Sequence, residues 1–551
     1  MFTTVGRIAK WLWTATNGIR HRLLVNCALG VIRVAAGLLF IYFSKQLIDM
    51  ATGYIDHTAF IFYLYLVLLV VFMFTSIGTA LANNWYTNQT EIKMKNRIRH
   101  NLFTHLMNVK WMGKDQLHSG DILNRLEEDV RVVTETICSS LPNLVITLIN
   151  LLAAFLFLYH LSPALAWCIV FTMPVFLVLS KIYIKRMRKL TKDIRSTDSN
   201  VQSVLQESIQ HKTVIQTMEQ NGIMADKLDS LQQTLYGQTM DRTKFSLFSR
   251  AMVSFGFITG YLIVFIWSVF QLKAGIITFG IMSAFLQLVN QIQRPTVELT
   301  RLLPQFVHAT TSIDRLHELE IMQGEDITEK HWLEGKVGIL MKDVTFGYEE
   351  GEPVLLHFTH DFKPGSRTAV MGETGAGKST TVRLILSLLK PQSGSIELYN
   401  EKERIIADAE SRSNMVYVPQ GNSLLSGTIR ENLLLGDPDA TDEQLYDVLH
   451  TTVADFVKDL PEGLDTVCGE QGSGLSEGQA QRIAIARGLL RKGSVLLLDE
   501  FSSSLDKGTE HFLMQRLIAH YPDKTMIFIT HHEMIADYCS DTIRLEKYKK
   551  V

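Results

Sequence analysis

Cysteine is scarce in this chain and follows no pattern. Five cysteines occur in 551 residues, and no two of them form a C-x-x-C pair. A disulfide framework or a structural zinc site needs paired or regularly spaced cysteines, so this distribution argues against both. We expect all five side chains to be small buried hydrophobic groups: Cys27, Cys138, Cys168, Cys468 and Cys539.

Charge is also in short supply. Charged residues make up 20% of the chain, hydrophobic residues make up 47%, and the formal net charge is −2. A near-neutral chain offers no overall basic surface, so no nucleic-acid partner is expected. The excess of hydrophobic residues is unusual for a soluble protein of this length and indicates membrane segments.

The N-terminus lacks the pattern of a cleavable secretion signal, because no short apolar core precedes a small-residue cleavage site. Basic and aromatic residues are mixed over 1–22, namely Arg7, Lys10, Trp11, Trp13, Arg20 and Arg22. The mixture predicts an amphipathic helix at the membrane surface, with tryptophan at the interface and basic groups near anionic head groups.

Long apolar runs alternate with polar stretches up to about residue 310. A helix needs about 20 mainly apolar residues to cross a bilayer. The runs predict six spans in a transmembrane domain over 23–321: 23–43, 59–81, 140–161, 163–184, 251–272 and 276–295. The last is the shortest, because its apolar part ends at Val289.

The connections between these runs differ in length and charge. Those after the second and fourth runs are long and basic, whereas the other three are short and have almost no Lys or Arg. The positive-inside rule places both termini and both long loops in the cytoplasm, and we expect an integral multi-pass protein of a bacterial inner membrane. The long loops lack Pro and Gly clusters, which predicts helical extensions of the spans.

The composition changes after a polar linker predicted over 322–336. Short Val-, Ile- and Leu-rich strands then alternate with helices, which predicts one α/β domain over 337–551. Four segments are predicted as buried strands: Arg367–Met371, Val416–Val418, Ser494–Leu498 and Met526–Thr530. The predicted fold is multi-domain, an all-α six-helix transmembrane domain followed by an α/β domain.

Residues 372–380 fit the phosphate-binding pattern G-x-x-x-x-G-K-[ST], between the strand Arg367–Met371 and a helix predicted over Thr380–Leu389. In such a loop the backbone N–H groups cradle phosphates, the lysine reaches the terminal phosphates and the hydroxyl holds Mg²⁺. The motif makes the α/β domain that follows the six-helix transmembrane domain a predicted P-loop NTPase domain. All nine residues are predicted to bind ATP: Gly372, Glu373, Thr374, Gly375, Ala376, Gly377, Lys378, Ser379 and Thr380.

Two carboxylates follow the strand Ser494–Leu498. In P-loop ATPases the first acid at this position holds Mg²⁺ and the second polarises the attacking water. Asp499 is therefore a predicted metal ligand together with Ser379, and Glu500 is the predicted general base. The plainer alternative is a strand that ends in two solvated acids.

Leu475-Ser-Glu-Gly-Gln479 stands at the start of a helix predicted over Ala480–Leu490. Helix N-termini offer unpaired N–H groups and a positive dipole end, which suit a phosphate. The alternative for Ser476 is an ordinary helix-capping serine.

Taken in chain order, these motifs resemble the ATP-binding cassette of ABC transporters. The further matching positions are Tyr348 after Phe346-Gly347, Gln420 after Pro419, Ser503-Ser-Leu-Asp506, and His531 after Thr530. The whole chain resembles a half-transporter of the exporter type, with six membrane helices followed by one cassette. The resemblance implies ATP and Mg²⁺ as cofactors and ATP hydrolysis coupled to transport.

The resemblance also implies roles for single residues. Tyr348 would stack on adenine, although packing on a strand edge is the alternative. Gln420 would bind the metal and face the membrane domain. His531 would contact the γ-phosphate as a second catalytic group, and His532 is the competing choice.

In the family, each ATP lies between the P-loop of one chain and the signature of its partner. Four residues would then bind ATP in trans: Ser476, Gly478, Gln479 and Asp506. Glu477 departs from the family, which usually has glycine there, so either its side chain points away or it marks a weakened site in a heterodimer. We favour a homodimer because the other catalytic positions are intact.

The resemblance places coupling helices in the long loops, with candidates at Met112–His118 and Gln210–Thr217. The second has His211 where glycine is common. In the sixth span, polar residues at near-helical spacing either line a substrate path or hydrogen-bond neighbouring helices: Gln287, Asn290, Gln291 and Arg294. Arg33, within the first span, is costly unless paired or wetted, and we favour a structural role.

The expected function is ATP-driven export of an amphipathic, lipid-like or drug-like solute by alternating access. The expected partners are the bilayer, a small-molecule or lipid substrate and a second half-transporter chain. Two alternatives stay open, an importer on the same architecture and an ATP-gated membrane regulator or channel that does not pump. Glu500 and His531 argue against the gate, because gating needs ATP binding but not turnover.

Overall fold

The computed structural model describes residues 11–110, 119–325, 329–348, 352–469 and 474–547. The side chains of 168–185, and of a few other helix positions that include Arg294, lie outside this description. The chain divides into a helical unit, Met1–Leu102 with Leu123–Leu319, and an α/β unit, Phe103–Ile122 with Glu320–Val551. The predicted helix over 1–22 lies partly outside the described residues.

Long helices dominate the N-terminal half of the chain, and short ones connect some of them. In chain order the helices are α1 (Arg20–Ala51), α2 (Ala59–Met107), α3 (Ser119–Asn124), α4 (Val130–Glu135), α5 (Leu141–Leu161), α6 (Pro163–Gln210), α7 (Lys212–Thr217), α8 (Asn221–Lys273) and α9 (Phe279–Glu320). Two π-helical segments, Arg125–Asp129 and Thr136–Ser140, connect α3, α4 and α5. Since α2 and α6 run far beyond the predicted spans, the predicted helical extensions are confirmed.

Four of the described helices are long and apolar enough to cross a bilayer: Arg20–Ala51, Ala59–Met107, Gly120–Leu161 and Asn221–Lys273. They contain the first, second, third and fifth predicted spans. Most side chains of the fourth, 163–184, lie outside the description. The sixth falls in α9, which is not among the four because polar residues interrupt it after Val289.

Apolar side chains in the helical unit face two environments. Ile41, Leu158, Val264, Phe285 and Leu288, from α1, α5, α8 and α9, share one buried cluster. By contrast, no residue of the most apolar stretch of α2 is buried inside the chain. Lipid tails are as apolar as these side chains, so a bilayer removes the cost of exposing them.

The second long loop turns where the sequence predicted a coupling helix. Helix α6 ends at Gln210, His211 has a non-helical backbone, and the short helix α7 follows. All of α7 lies inside the predicted Gln210–Thr217. The other candidate, Met112–His118, lies outside the described residues.

The α/β unit contains two main sheets. An antiparallel sheet has the order β2 (Leu355–Phe362), β1 (Gly338–Phe346), β4 (Ser393–Tyr399) and β5 (Arg404–Ile406). A parallel sheet has the order β11 (Asp541–Leu545), β3 (Arg367–Gly372), β10 (Thr525–Ile529), β9 (Val495–Asp499) and β6 (Met415–Val418). The short strands β7 (Gly427–Thr428) and β8 (Val467–Cys468) pair separately.

The parallel sheet forms because its central strands are apolar on both faces. Every residue of β9 and β10 is buried, as expected for strands covered by helices on both sides. The helices of the α/β unit are α10 (Lys378–Ile385), α11 (Ile429–Leu434), α12 (Asp442–Thr451), α13 (Glu477–Leu490), α14 (Lys507–His520) and α15 (Glu533–Asp537). The four predicted strands are confirmed with ends within one residue, but the helix expected at Thr380–Leu389 begins at Lys378 and ends at Ile385.

The segment predicted as a linker is hydrogen-bonded to the α/β unit. The Glu325 carboxylate accepts two hydrogen bonds from Arg412, at 2.8 and 2.9 Å. Leu333 is buried, and its N–H donates to Asn414 Oδ1 at 2.8 Å. The N–H of Glu325 also donates to the carbonyl of Asn108 at 2.7 Å. Asn108, which directly follows α2 in the first long loop, is therefore held beside the start of the α/β unit.

Candidate functional site

The predicted P-loop joins the end of β3 to the start of α10. Gly377 is the N-cap of α10 with φ of 94°, a left-handed conformation that glycine adopts without strain. A Cβ at this position would lie 3.0 Å from Val354 Cγ1, so a larger residue has no room. Since α10 starts at Lys378, its first N–H groups lack helical partners and are free to bind an anion.

Lys378 bridges the two ends of this loop. Its ammonium group donates to the carbonyl of Gly372 at 2.6 Å and to that of Glu373 at 3.4 Å. These partners are neutral backbone oxygens, which phosphate oxygens can replace with a stronger, charge-assisted bond. The next residue, Ser379, has an exposed side chain, whereas Thr380 is buried.

The predicted acids lie at the same edge of the sheet. Strand β10 separates β3 from β9, and Ile529 is in register with both Val370 and Asp499. Parallel strands bring their carboxyl ends to one edge, where ligands of open α/β sheets bind. Asp499 is therefore close to the P-loop, and the positive charge of Lys378 acts on it.

Asp499 is almost fully buried, and burial raises the pKa of its carboxyl group above the ordinary range. The neighbouring Glu500 carboxylate acts in the same direction, while a hydrogen bond from Tyr417 and the charge of Lys378 oppose it. A bound cation would offset the electrostatic repulsion between the Asp499 and Glu500 carboxylates. The oxygen donors Asp499 and Ser379 suit Mg²⁺, which prefers carboxylate and hydroxyl ligands beside substrate phosphates.

Glu500 is held in an uncommon conformation. Its φ of 44° is left-handed, and its N–H donates to the carbonyl of Ile529 at 2.9 Å. The predicted Gln420 lies next to it, because its Nε2 donates to Glu500 Oε2 at 2.6 Å. Local strain of this kind is typical of functional positions. The structure therefore brings Gln420 and Glu500 together as a hydrogen-bonded pair.

Tyr348 lies against the first turns of α10. Its hydroxyl is 3.2 Å from Thr380 Oγ1 and accepts a hydrogen bond from Arg383 at 2.9 Å. The ring packs edge-on against Phe346, yet 44% of the residue remains exposed. An exposed aromatic ring beside a phosphate loop is suited to stacking on a base.

The two neighbouring histidines, His531 and His532, have different surroundings in the structure. The Nδ1 of His532 lies 2.9 Å from Oε1 of Glu510, which is buried on α14. His531 is exposed at the end of β10 and stacks edge-on against His532. This arrangement favours His531 as the residue that contacts a ligand. His532 is instead held by its contact with Glu510, which favours a structural role.

The signature residues form the start of α13. Ser476 caps this helix, and its hydroxyl and the side chain of Gln479 make reciprocal hydrogen bonds with the backbone. A Cβ on Gly478 would lie 2.6 Å from the carbonyl oxygen of Ser504, so only glycine fits. Glu477 is exposed in the first turn, where a negative charge complements the helix dipole.

Asp506 acts as the N-cap of α14. Its carboxylate accepts hydrogen bonds from the N–H groups of Gly508 and Thr509 and from the Thr509 hydroxyl. The hydroxyl bond lowers the pKa of Asp506 most. Among the described residues, no hydrogen bond joins the four residues predicted to act in trans to the P-loop.

Three contacts were not predicted from the sequence. Tyr417 donates to Asp499 at 3.4 Å, and burial followed by the Asp499 charge raises the pKa of Tyr417 to about 12. The buried Gln481, on the signature helix, donates to the carbonyl of Glu500 at 3.3 Å. Glu510 anchors His532. Only Tyr417 carried a sequence signal, since it precedes Gln420 at the end of a predicted strand.

Polar residues of the predicted substrate path line a cavity in the helical unit. The cavity has a volume of about 430 Å³ and is bounded by α1, α2 and α9. Gln287, Asn290 and Gln291 all face it. The side-chain amides of Gln287 and Asn290 donate within α9, to Ser283 and Leu286, rather than to another helix. This geometry favours the cavity-lining alternative; the Arg294 side chain lies outside the description.

The fold and site define a P-loop ATPase joined in one chain to a bundle of membrane-spanning helices. The family described as "ABC transporter transmembrane region" matches residues 23–296, and the family described as "ABC transporter" matches residues 355–503. The chain belongs to the ABC transporters. The predicted resemblance and fold class are confirmed.

Individual relatives agree with this assignment. The uncharacterized ABC transporter ATP-binding protein YfiC of Bacillus subtilis is 28% identical over 471 residues, 85% of this chain and 78% of YfiC. A Staphylococcus aureus protein, provisionally named a multidrug export ATP-binding/permease protein, is 26% identical over 529 residues, 93% of this chain and 90% of the relative.

A solved structure shares the fold. A bacterial Atm1-family ABC exporter with ATP bound superposes with a TM-score of 0.79 at 20% identity, covering 96% of this chain and 95% of the exporter. The chain is thus an integral membrane half-transporter of the exporter type, driven by ATP at its ABC ATPase domain, and its architecture implies a dimer.

Proposed function

We propose that this protein exports an amphipathic solute by alternating access, as a homodimer with two composite ATP sites. The observation that carries the proposal is the convergence of Lys378, Gln420, Asp499 and Glu500 at one sheet edge, in a chain that also has a polar cavity between membrane helices. A transporter needs both an ATPase and a path through the membrane, and here one chain contributes to each.

Each residue at the sheet edge has a proposed task. The N–H groups at the start of α10 and the Lys378 ammonium group would bind and orient the phosphates of ATP. Asp499, Ser379 and Gln420 would hold Mg²⁺, which neutralises phosphate charge when bound. Glu500 would accept a proton from the attacking water, because the hydrogen bond from Gln420 orients its carboxylate.

The remaining half of each ATP site would come from a second copy of the chain. Ser476 is exposed at the N-terminus of α13, where a partner's phosphate could meet unpaired N–H groups. Gly478, Gln479 and Asp506 would contribute at the same interface, and His531 would contact the γ-phosphate. The exposed Glu477 carboxylate could then turn to solvent, which is consistent with two equal sites.

ATP binding would close the two cassettes and hydrolysis would separate them, so the bound solute meets opposite sides of the membrane in turn. Such a cycle requires the solute to bind the two states with different free energies. The name of the S. aureus relative supports export as the direction.

The decisive experiment uses the full chain, expressed alone and reconstituted in vesicles. We expect a dimer with ATPase activity and ATP-dependent movement of an amphipathic dye. Glu500→Gln should retain ATP binding while hydrolysis falls by a factor of about 10²–10⁴ and transport stops. Glu443→Gln, an exposed residue on α12, is the matched control and should behave as wild type.

Two outcomes would contradict the proposal. A folded dimer of this chain without ATPase activity would contradict two equal sites. Full function in Glu500→Gln would indicate an ATP-gated channel instead of a pump.

A further inference from the structure

The membrane helices contain a second cavity that shares a wall with the first. We call the first the aromatic cavity, because Phe40, Phe72 and Met73 form much of its apolar lining. The second, of about 250 Å³, is the charged cavity, because Arg33 and Glu298 both line it. Each volume approaches or falls within the range of small-molecule sites.

Three residues line both cavities: Gly37, Ser76 and Gln291. Little side-chain volume separates the two cavities at this shared wall, because Gly37 has no side chain and Ser76 has a small one. A Cβ at Gly37 would already lie 3.4 Å from Gln291 Nε2, so a large side chain there would fill the passage. One elongated ligand can therefore extend through both cavities.

The shared wall also presents an unused hydrogen-bond acceptor. The Oε1 of Gln291 is buried and accepts no hydrogen bond from any residue that the structure describes. A buried polar atom normally finds a partner. A donor group on a ligand in this passage would supply one.

The charged cavity has one side chain of each sign. Arg33 is half-buried in the middle of α1, and Glu298 is exposed on α9. Neither forms an ion pair with a side chain in the described part of the chain. Charges within a membrane domain are costly unless they are paired or wetted, and they commonly mark substrate sites. A head group carrying both charges would pair with both residues, whereas a singly charged one would leave one residue opposed by a like charge.

The depth of the two cavities fits an amphiphile in a bilayer. At the far end of the bundle, Asp49 accepts a hydrogen bond from the N–H of Gly280 at 2.9 Å, which brings α1 and α9 to a common level. At 1.5 Å per residue, Arg33 lies about 24 Å and Glu298 about 27 Å along their helices from this contact. Phe40 lies only about 14 Å from it. The charged end of the combined site is therefore displaced by about 10 Å along the bundle from its apolar end, which suits a molecule with a head group and a chain.

We propose that the two cavities form one binding site for a zwitterionic amphiphile. Its charged head group lies between Arg33 and Glu298, and its apolar chain lies against Phe40, Phe72 and Met73. This inference rests on the proposed function, because it names the class of solute that the ATP cycle would move.

The test compares amphiphiles of equal chain length that differ only in head-group charge. Full-length dimer in uncharged maltoside micelles is titrated with fluorescent analogues of lysophosphatidylcholine, lysophosphatidylglycerol and an alkyltrimethylammonium. We expect lysophosphatidylcholine, the zwitterion, to bind about tenfold more tightly than either singly charged compound. Equal affinities, or tightest binding of a singly charged compound, would overturn the proposal.

Two variants test the pairing of charges. Arg33→Gln should shift the preference to the cationic compound, and Glu298→Gln should shift it to the anionic one. Arg131→Gln removes a charge that is exposed outside both cavities and should leave the preference unchanged. If Arg33→Gln does not fold, Arg33→Lys must keep the zwitterion preference; loss of preference in a folded Arg33→Lys would count against the site.

The passage is tested separately with Gly37→Leu, which should weaken lysophosphatidylcholine binding about tenfold, with Gly37→Ala weakening it less. ATPase activity is measured in the same preparations without amphiphile. Absence of ATPase activity in the wild type would contradict the proposed function itself. Intact ATPase activity with no head-group preference would contradict only this inference.

Discussion

The two units of this protein use the same apolar side chains in opposite ways. In the α/β unit, every residue of β9 and β10 is buried, and the candidate catalytic residues lie at or directly after the strand ends. In the helical unit, Phe60 is 75% exposed and Phe255 72% exposed. Water is the solvent of the first unit and lipid that of most of the second, so the helical unit can leave apolar side chains exposed to lipid around its own buried cluster.

The two units also differ in how their candidate functional residues are distributed along the chain. The candidate ATPase residues lie in contiguous motifs, because a phosphate loop and a strand that ends in acids need neighbouring residues. The residues around the membrane cavities come from α1, α2, α5 and α9, more than 250 positions apart at the extremes. A surface assembled from distant helices leaves only a diffuse trace in the sequence.

The largest effect that would sharpen this contrast is expected at Gly478. Gly478→Ala puts a Cβ 2.6 Å from the Ser504 carbonyl oxygen and must displace either the signature helix or the Ser503–Asp506 loop. We expect ATPase activity to fall by a factor of about 100, typical of misplaced catalytic groups. Gly237→Ala, where no atom lies within 4 Å of the added Cβ, is the control. Steady-state ATPase assays decide; equal activity of the two variants would refute the close-packing argument.

The next largest effect is a loss of stability at a buried leucine, which is compared with the loss at a leucine exposed to lipid. Leu498→Ala, in the buried strand β9, should lower the free energy of unfolding of the α/β unit by about 2–5 kcal/mol. Leu81→Ala, on the exposed face of α2, should cost less than about 1 kcal/mol, because lipid covers the site in both variants. Thermal unfolding in detergent micelles measures the difference. Similar losses at the two sites would mean that α2 is covered by protein instead of lipid.

A smaller effect is expected at the contact between Glu510 and His532, the residue next to His531. Glu510→Gln replaces the charged acceptor of the His532 hydrogen bond with a neutral one, which weakens the bond. The start of α15 and His531 are then held less firmly. A loss of about 1.4 kcal/mol would reduce kcat about tenfold while KM for ATP stays unchanged. Glu510→Asp should recover part of the activity. A rise in KM with normal kcat would instead place Glu510 in ATP binding.

The smallest effect concerns pH. His360 is half-buried, and burial lowers its pKa, although Asp541 at 3.5 Å acts against the shift. The unfolded state, with a histidine pKa of about 6.5, then binds protons before the folded state does. The stability contributed by neutral His360 is present above about pH 6.5 and is lost as the pH falls toward the lower folded pKa.

Thermal unfolding of wild type and His360→Gln checks this sign. Between about pH 8 and about pH 5.5, the Tm of wild type should fall by about 1–3 °C more than that of the variant, which cannot titrate. A larger fall in the variant would show that the Asp541 contact outweighs burial.

Features that depend on residues close together in the chain were predicted best. The strand bounds were correct within one residue, since short apolar runs of this kind are typical of buried strands in an α/β domain. The family was recognisable from the ordered motifs. The helix after the P-loop was placed two residues late, because its N-cap is Gly377, inside the motif. Leu333 and Glu325 were assigned to a polar linker, although both hold that segment against the α/β unit.

By itself, the sequence determined the class of protein and the order of its two parts, and it named the candidate ATPase residues. Those properties depend on periodicity and on short motifs, which are local along the chain. The tertiary structure alone decided which histidine is exposed, that Gln420 meets Glu500, and that Arg33 and Glu298 line one cavity. Each of these features depends on residues far apart in the chain, which only folding brings together.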